Sequence, residues 1–483
     1  MSPGTILWLV GLVGGAVSLA QLPSLGLALF MGEPWESFAL AIAIGGAGSA
    51  LLWFANRTGG RELDHRSAFV AVTLCWLTAC VLAALPLYGH SGLGLSLVDA
   101  FFESTSGFTT TGATVLTGLD HAPRSVLLWR SVTQWLGGMG IVVLGVAVFP
   151  LLGVGGMQLF KAEAPGPTKD KLTPRIGETA RLLWVLYLGL TVADALLLWV
   201  GGMGPFDAIC HAMSTISTGG FSTHDASLGH YESSFILSTT TLFMLLGGMS
   251  FVILHRALTR GIPWSDSPEL KAYVGIVLGA SLLITLDLRN SAFGEFDTTR
   301  QALEHGVFQV ASILTTTGFT TLDFDRWPPL SHAVLFGLLF IGAMSGSTGG
   351  GIKVIRVVLV LRIAASQFFR LTHPRGFRSI KLGKQNVDDT VLLGVLGFFG
   401  MWMAILFTGT AVLCAFGSDL FTSLSAAAAT LGNVGPAFEG VGPSHNYAGF
   451  SDSAKLSMAA LMLLGRLEIY VALVILTPVF WRR

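Results

Sequence analysis

Four times along 483 residues, a long apolar run gives way to a short half-apolar segment, a turn rich in glycine and hydroxyl side chains, and a second long run. The four segments read SLVDAFFESTSGFTTTGATV, GPFDAICHAMSTISTGGFST, ALEHGVFQVASILTTTGFTT and LFTSLSAAAATLGNVGPAFEG. Their turns align as TTTGA (109–113), STGGF (217–221), TTTGF (315–319) and GNVGP (432–436), with Gly112, Gly220, Gly318 and Gly435 in register. In the run after each turn a second motif keeps the same order: LGGMG (136–140), LGGMS (246–250), IGAMS (341–345) and LGRLE (464–468). Two independent motifs in the same order define an internal repeat. Its unit is span, re-entrant half-helix, glycine turn, span.

The long runs lie near 4–31, 36–56, 67–89, 124–150, 181–203, 233–258, 268–288, 328–360, 390–416 and 455–480. Each reaches the ~20 residues that cross a bilayer. Only 12% of the chain is charged and 52% is apolar, about half the charge of a soluble domain. The bilayer is therefore its solvent. The N-terminal MSPGTILWLVGLVGGAV lacks a basic n-region and an evident cleavage site, and reads as a retained transmembrane helix. The expected fold is all-α and polytopic: two N-terminal helices (1–58), then four pore repeats over 59–152, 153–260, 261–386 and 387–483. Gly, Ser and Thr interrupt the run after 328.

Basic residues give the orientation. Arg57, Arg61 and Arg66, then Lys161, Lys169, Lys171, Arg175 and Arg181, then Arg256, Arg260 and Lys271 fall in alternate connections. Lys353, Arg356, Arg362, Arg370, Arg375, Arg378, Lys381 and Lys384 follow, with Arg482 and Arg483 in the tail. By the positive-inside rule, loops 57–66, 153–180, 255–271 and 353–387 face the cytoplasm. The opposite connections hold Asp99, Glu103, Asp120, Asp207, Asp225, Glu232, Glu295, Asp297, Asp323, Asp325, Asp419 and Glu439. These acids either concentrate cations at an outer mouth or are a solvated surface. Cys75, Cys80, Cys210 and Cys414 have no CxxC spacing and read as buried small residues.

Irregular backbone at membrane depth is tolerated only where it is buried in protein or lines a water-filled path. A single such turn is equally well an ordinary capped turn. Four of them suit a pseudo-fourfold axis, where rings of carbonyl oxygens replace the hydration shell of a cation. Oxygen ligands without a carboxylate in the turn fit a monovalent ion better than Ca2+ or Mg2+. The preceding half-helices present C-terminal ends, about −0.5 charge each, to that path.

On TTTGAT, STGGFST, TTTGFT and GNVGP, and over nearly its whole length, the chain resembles the Trk/Ktr/HKT superfamily of potassium transporters in its TrkH/TrkG branch. That resemblance implies a potassium-channel-like pore, with a selectivity filter of main-chain carbonyls from Thr110, Thr111 and Gly112; Thr218, Gly219 and Gly220; Thr316, Thr317 and Gly318; and Asn433, Val434 and Gly435. Glycine at 112, where serine in the plant branch goes with sodium, implies potassium preference. One shared glycine per turn, against two in the TVGYG turn of potassium channels, implies a simpler filter. The resemblance also implies a homodimer in the bacterial inner membrane and a cytosolic TrkA-like regulatory ring that carries NAD and ATP. Potassium is the only ligand it implies on this chain.

Arg466 lies deep in LMLLGRLEIYVALVIL, where a charge costs about 2.5–3.5 kcal/mol on insertion scales. The repeat places it where Gly138, Gly248 and Ala343 stand in the other units. It either projects a cation onto the axis or pairs with an acid such as Glu468. GAMSGSTGGGIKVIR (342–356) holds five glycines and cannot form a stable continuous helix. It resembles the family's intramembrane gating loop, which implies a plug of Gly346, Ser347, Thr348, Gly349, Gly350 and Gly351 acting with Lys353 and Arg466; a kinked, packed helix is the alternative.

The basic segment 353–387 reads either as a docking surface or as an anchor to anionic lipid. No Walker A and no Rossmann glycine motif is present, so nucleotide control must come from another protein. Neither HExxH nor GxSxG occurs, and His211 and His305 stand alone, so no enzyme is expected. A sodium transporter or a proton-coupled symporter remains the alternative, with Asp194 inside a span as the residue that keeps coupling open.

Overall fold

The computed structural model describes residues 3–57, 64–147, 176–260, 267–290, 296, 298–373, 379–383 and 385–482. Arg61, Lys161, Lys169, Lys171, Arg175, Glu295, Asp297, Arg375, Arg378, Lys384 and Arg483 lie outside the described residues, as do the boundaries 58/59 and 152/153.

Helices α1 (Pro3–Ala20), α2 (Leu22–Met31) and α3 (Glu36–Ala55) precede the repeating units. The first unit is α4 (His65–Tyr88), the short α5 (Leu97–Phe108) and α6 (Arg124–Ala147). In the second, α7 (Ile176–Val200) and the short α8 (Pro205–Ile216) lead to α9 (Ser234–Gly247) and α10 (Phe251–Arg260). In the third, α11 (Pro268–Asn290) and the short α12 (Thr299–Leu314) lead to α13 (Pro329–Leu339) and α14 (Val354–Thr372). The fourth is α15 (Asp389–Ala415), the short α16 (Leu420–Gly432), α17 (Asp452–Arg466), α18 (Tyr470–Leu476) and α19 (Pro478–Trp481). A short hairpin, β1 (Lys381–Leu382) with β2 (Gln385–Asn386), joins the last two units.

Each short helix begins on a signal legible in its sequence. Ser96, Thr298 and Asp419 cap α5, α12 and α16 by accepting from Asp99, Gln301 and Thr422 main-chain N–H groups, while Pro205 opens α8. Twelve to sixteen residues long, they are too short to cross a membrane.

Among the described residues, six helical segments are long and apolar enough to cross: α1 with α2, α3, α4, α7, α11 and α15. This is a polytopic membrane protein. Its outer face is apolar, with Leu51, Val185, Leu278 and Phe407 each more than 60% exposed. Its interior is unusually polar, and Ser104, Thr105, Ser106, Gln134, Thr215, Gln309, Ser312 and Thr430 are buried. That reversal suits a lipid exterior and a hydroxyl-lined centre.

Of the ten expected spans, 4–31 runs as α1 and α2 joined at Gln21, and three others are bent sharply or divided. The run 233–258 bends by 100° between α9 and α10, and 455–480 bends by 115° between α17 and α18. The run 328–360 is divided by the loop 340–353. Only the last break was expected. The first unit's α6 is unbroken at 24 residues, although Ser125, Arg130, Ser131, Thr133 and Gln134 make its first half polar.

Candidate functional site

The C-terminal ends of α5, α8, α12 and α16 are built alike. The chain folds back so that Thr111 N donates to Ser106 O (2.9 Å), Gly219 N to Ser214 O (2.8 Å), Thr317 N to Ser312 O (2.9 Å) and Val434 N to Ala429 O (2.8 Å). A bond of this reach needs a left-handed residue at its corner, most often glycine. Here the corner is Thr110 (φ 53°), Thr218 (52°), Thr316 (60°) or Asn433 (56°). Two residues later the chain is left-handed again, at Gly112 (82°), Gly220 (79°), Gly318 (83°) and Gly435 (94°). A threonine at positive φ costs on the order of 1–3 kcal/mol and persists only where its surroundings over-determine it.

Those surroundings are the neighbouring turns. A Cβ added to Gly112 would collide with Gly219 O, and one on Gly220 with Thr317 O. One on Gly318 would strike Val434 O, and one on Gly435 would strike Thr111 O. Each turn therefore lies against the next, and the fourth closes on the first. Asn433 Nδ2 reinforces the closure by donating to Thr111 Oγ1 at 3.1 Å. The four turns form a ring.

Of the twelve turn carbonyls, Gly219 O accepts from Gln134 Nε2 and Gly435 O accepts from Tyr447 Oη, both at 2.6 Å. The others accept no hydrogen bond from the described residues. Buried carbonyls left without donors are rare and point to a ligand or water.

A polar scaffold behind the ring escaped the sequence reading. Glu103 on α5 accepts from Arg130 Nε (2.8 Å), Thr114 Oγ1 (2.9 Å) and Val115 N (2.9 Å), so it holds the outer flank of the first turn. Arg130 also donates to Ser222 O at 3.0 Å, and its guanidinium lies 4.0 Å from the Phe221 ring centroid. Gln134 accepts from Phe221 N at 3.0 Å. Helix α6 thus positions the second turn. Two polar residues four apart on one face of a nominal span were the available signal. Glu103 is consequently a structural anchor and no part of an exposed acidic mouth.

Other acids there are also engaged. Asp99 pairs with Lys455 at 2.6 Å, Asp120 with His224 at 2.5 Å, and Asp323 with Arg326 at 3.4 Å. The hydrogen bond from His224 holds the Asp120 carboxyl below its ordinary range. Burial beside Asp323 pushes Asp325 up to about 6.

Beneath the ring lies the second repeated motif. A Cβ on Gly137 would meet Phe108 O, and one on Gly465 would meet Leu431 O. One on Gly247 would stand 3.1 Å from Ile216 O. These glycines let the second helix of the first, second and fourth units pass under the end of the short one. In the third unit, Gly342 lies instead against Gly350 of the interrupting loop.

That loop touches the second, third and fourth units. Thr348 Oγ1 donates to Ile216 O and Gly247 O, both at 3.0 Å, and Gly350 N donates to Thr316 Oγ1 at 2.7 Å. A Cβ on Gly350 would stand 2.8 Å from that of Asn433. Arg466, 2% exposed, donates to Thr348 O at 2.7 Å and to Gly137 O at 3.1 Å. Lys353 Nζ donates to Gly349 O. Glu468 does not pair with Arg466; it bridges Arg356 at 2.5 Å. Arg466 is therefore anchored on main-chain oxygens, one of them in the loop.

The comparisons with known proteins fit this architecture. The family described as "TrkH: Cation transport protein" matches residues 35–265 and 270–480. The chain belongs to the TrkH family. "Trk system potassium uptake protein TrkH" of Salmonella typhimurium is 44% identical over 92% of both chains, and its namesake in Halomonas elongata is 42% identical over the full length of both. The crystal structure of the potassium transporter TrkH from Vibrio parahaemolyticus superposes with a TM-score of 0.92 at 38% identity, covering 100% of both chains. The TrkH family is one of transporters, not of enzymes.

Three other residues singled out in the sequence lie outside the ring of this TrkH-family chain. His211 is satisfied by Asp207 O (2.8 Å) and Ser222 Oγ (3.0 Å), and His305 by Thr321 Oγ1 (2.9 Å); both brace turn flanks. Asp194 is fully buried on α7, and among the described residues neither carboxyl oxygen has a hydrogen-bond partner within ordinary distance.

Proposed function

We propose that this chain takes up potassium through the centre of the ring, with the carbonyls of residues 110–112, 218–220, 316–318 and 433–435 replacing the ion's water. The observation that carries the reading is the cyclic contact Gly112–Gly219, Gly220–Thr317, Gly318–Val434 and Gly435–Thr111. Residues of alternating backbone handedness turn successive carbonyls toward one side, and four such edges surround an axis. The ends of α5, α8, α12 and α16 add partial negative charge. Carbonyls without a carboxylate, all but Gly219 O and Gly435 O free of donors among the described residues, favour a monovalent, weakly hydrated cation. The names of the relatives, potassium uptake proteins and a potassium transporter, support potassium as that cation.

The loop 346–351, Lys353 and Arg466 act as the gate. Arg466 places positive charge beneath the filter and ties the loop to α6. Opening requires the loop to leave, freeing Arg466 and Thr348. The basic segment 353–387 is the docking face for a TrkA-like cytosolic ring that carries NAD and ATP, and the chain works as a homodimer in the inner membrane.

Rubidium flux into liposomes holding the protein alone, with imposed voltage and varied pH, tests this. Flux should follow voltage and ignore the proton gradient. The competing reading, proton- or sodium-coupled symport, draws on Asp194, a carboxyl buried inside a span. Flux that tracks the proton gradient in the parent and loses that dependence in Asp194→Asn would establish it instead.

A further inference from the structure

On the outer side, away from the ring, the flanks of the first two units meet in two imidazoles and a carboxylate. Asp120 lies on the single turn Leu119–His121 that follows the first glycine turn. His224 and His230 lie on the segment that follows the second, which ends in the turn Ser227–His230. One ligand atom from each of the three lies within 4.8 Å of the other two. The imidazoles stack with centroids 3.6 Å apart and planes 3° from parallel. His224 Nδ1 is 2.5 Å from Asp120 Oδ1, and its other nitrogen faces Asp207 Oδ2 at 4.0 Å. Asp207 is fixed by Thr223 Oγ1 at 2.7 Å, and the second oxygen of Asp120 accepts from Asp225 N at 3.4 Å.

A carboxylate behind an imidazole is the arrangement that orients a metal-bound histidine. Two ring nitrogens and one carboxylate oxygen, open on one side to water, are a donor set for zinc and its neighbours. Potassium, magnesium and calcium prefer all-oxygen shells. We propose that Asp120, His224 and His230 bind a divalent transition-metal ion of the zinc class, which bridges the outer flanks of the first and second units. Water completes the coordination. With the metal on Nδ1, the ring proton of His224 sits on Nε2, the nitrogen that faces Asp207. Closing the three ligand atoms around one ion takes a rotation of partly exposed side chains, while Asp207 and Asp225 stay as supports.

Zinc titration of the full chain in detergent tests the site, with a chelating dye as competitor and calorimetric melting as a second readout. One zinc ion should bind per chain at micromolar concentration and raise the melting temperature. His230→Ala and Asp120→Asn should each weaken binding at least tenfold, while His445→Ala, an exposed histidine on the fourth unit's flank, should not. Rubidium uptake in zinc-free buffer reports whether each variant is folded. Undiminished binding in folded His230→Ala or Asp120→Asn, or no binding to the parent protein by about 100 µM, overturns the site.

Discussion

The second helix of the first unit and its counterpart in the second carry almost the same motif, LGGMG and LGGMS, yet only one of them breaks. Helix α6 continues through Gly137 and Gly138 to Ala147. Helix α9 ends at Gly247 and the chain turns by 100° into α10. The contacts differ more than the residues do. Around Gly247 and Gly248 the interrupting loop supplies replacement partners: Met344 N to Gly248 O (3.0 Å), Thr348 Oγ1 to Gly247 O (3.0 Å), and Phe251 N to Gly346 O (3.1 Å). Freed helix groups in a membrane must find such partners. Among the described residues no loop intrudes beside α6; a Cβ on Gly140 would stand 3.6 Å from Trp76, and Tyr187 Oη donates to the Trp135 carbonyl at 2.8 Å. Glycine permits the break, and the neighbour decides it.

The largest effects should come from the glycines beneath the short helices. Gly137→Ala and Gly465→Ala drive a methyl into Phe108 O and Leu431 O, and overpacking of this kind costs about 1–3 kcal/mol or more. Rubidium uptake should fall at least tenfold in each. Gly247→Ala, 3.1 Å from its nearest carbonyl, should lose no more than about threefold; equal losses in all three would break the comparison. Next is the loop that props the second unit's bend. Thr348→Val leaves the buried Ile216 carbonyl without its donor and Gly247 O with only the Thr348 main-chain N–H at 3.4 Å, a penalty of about 1–3 kcal/mol, and Arg466→Ala releases the loop from α6. Both should raise unstimulated cation flux about tenfold, and unchanged flux in both would remove the gate.

A smaller effect is expected from the intact helix. Gln134→Leu strips Gly219 O and Phe221 N of their partners, so potassium-over-sodium discrimination in competition uptake should drop severalfold while expression holds. The smallest concerns the outer flanks. The third unit's Asp325 has a folded-state value raised to about 6, so folding favours its neutral form. Its ionisation should lower stability as pH rises from about 4 to above 6, and acid should restore it. Asp325→Asn should flatten that part of the melting-temperature profile; Asp120, shifted downward by its histidine partner, should show the opposite slope.

The ring was legible because its elements are local. A half-helix, a left-handed corner and a glycine two residues later can be read from one stretch of chain, and four copies fixed their alignment. The scaffold was hidden because it joins distant residues. Glu103 looked like a mouth acid, and its partnership with Arg130 needs two helices to be placed first. The bend in the fourth unit was invisible for another reason. It occurs at Glu468 and Ile469, with φ of 57° and 54°, in LEIYV, a sequence with no glycine. A β-branched residue in that conformation is a genuine outlier. The hairpin at 381–386 had only Gly383 (φ 59°) to announce it.

Because the four edges of the ring belong to a single polypeptide, each quadrant is free to change alone. A channel made from four identical chains that acquired an arginine at this depth would acquire four, and their mutual repulsion would close the axis permanently or unfold it. Here one quadrant carries Arg466, three keep small residues at the matching place, and one contributes the loop. Covalent linkage therefore gives this architecture an asymmetry that a symmetric tetramer has no means to encode.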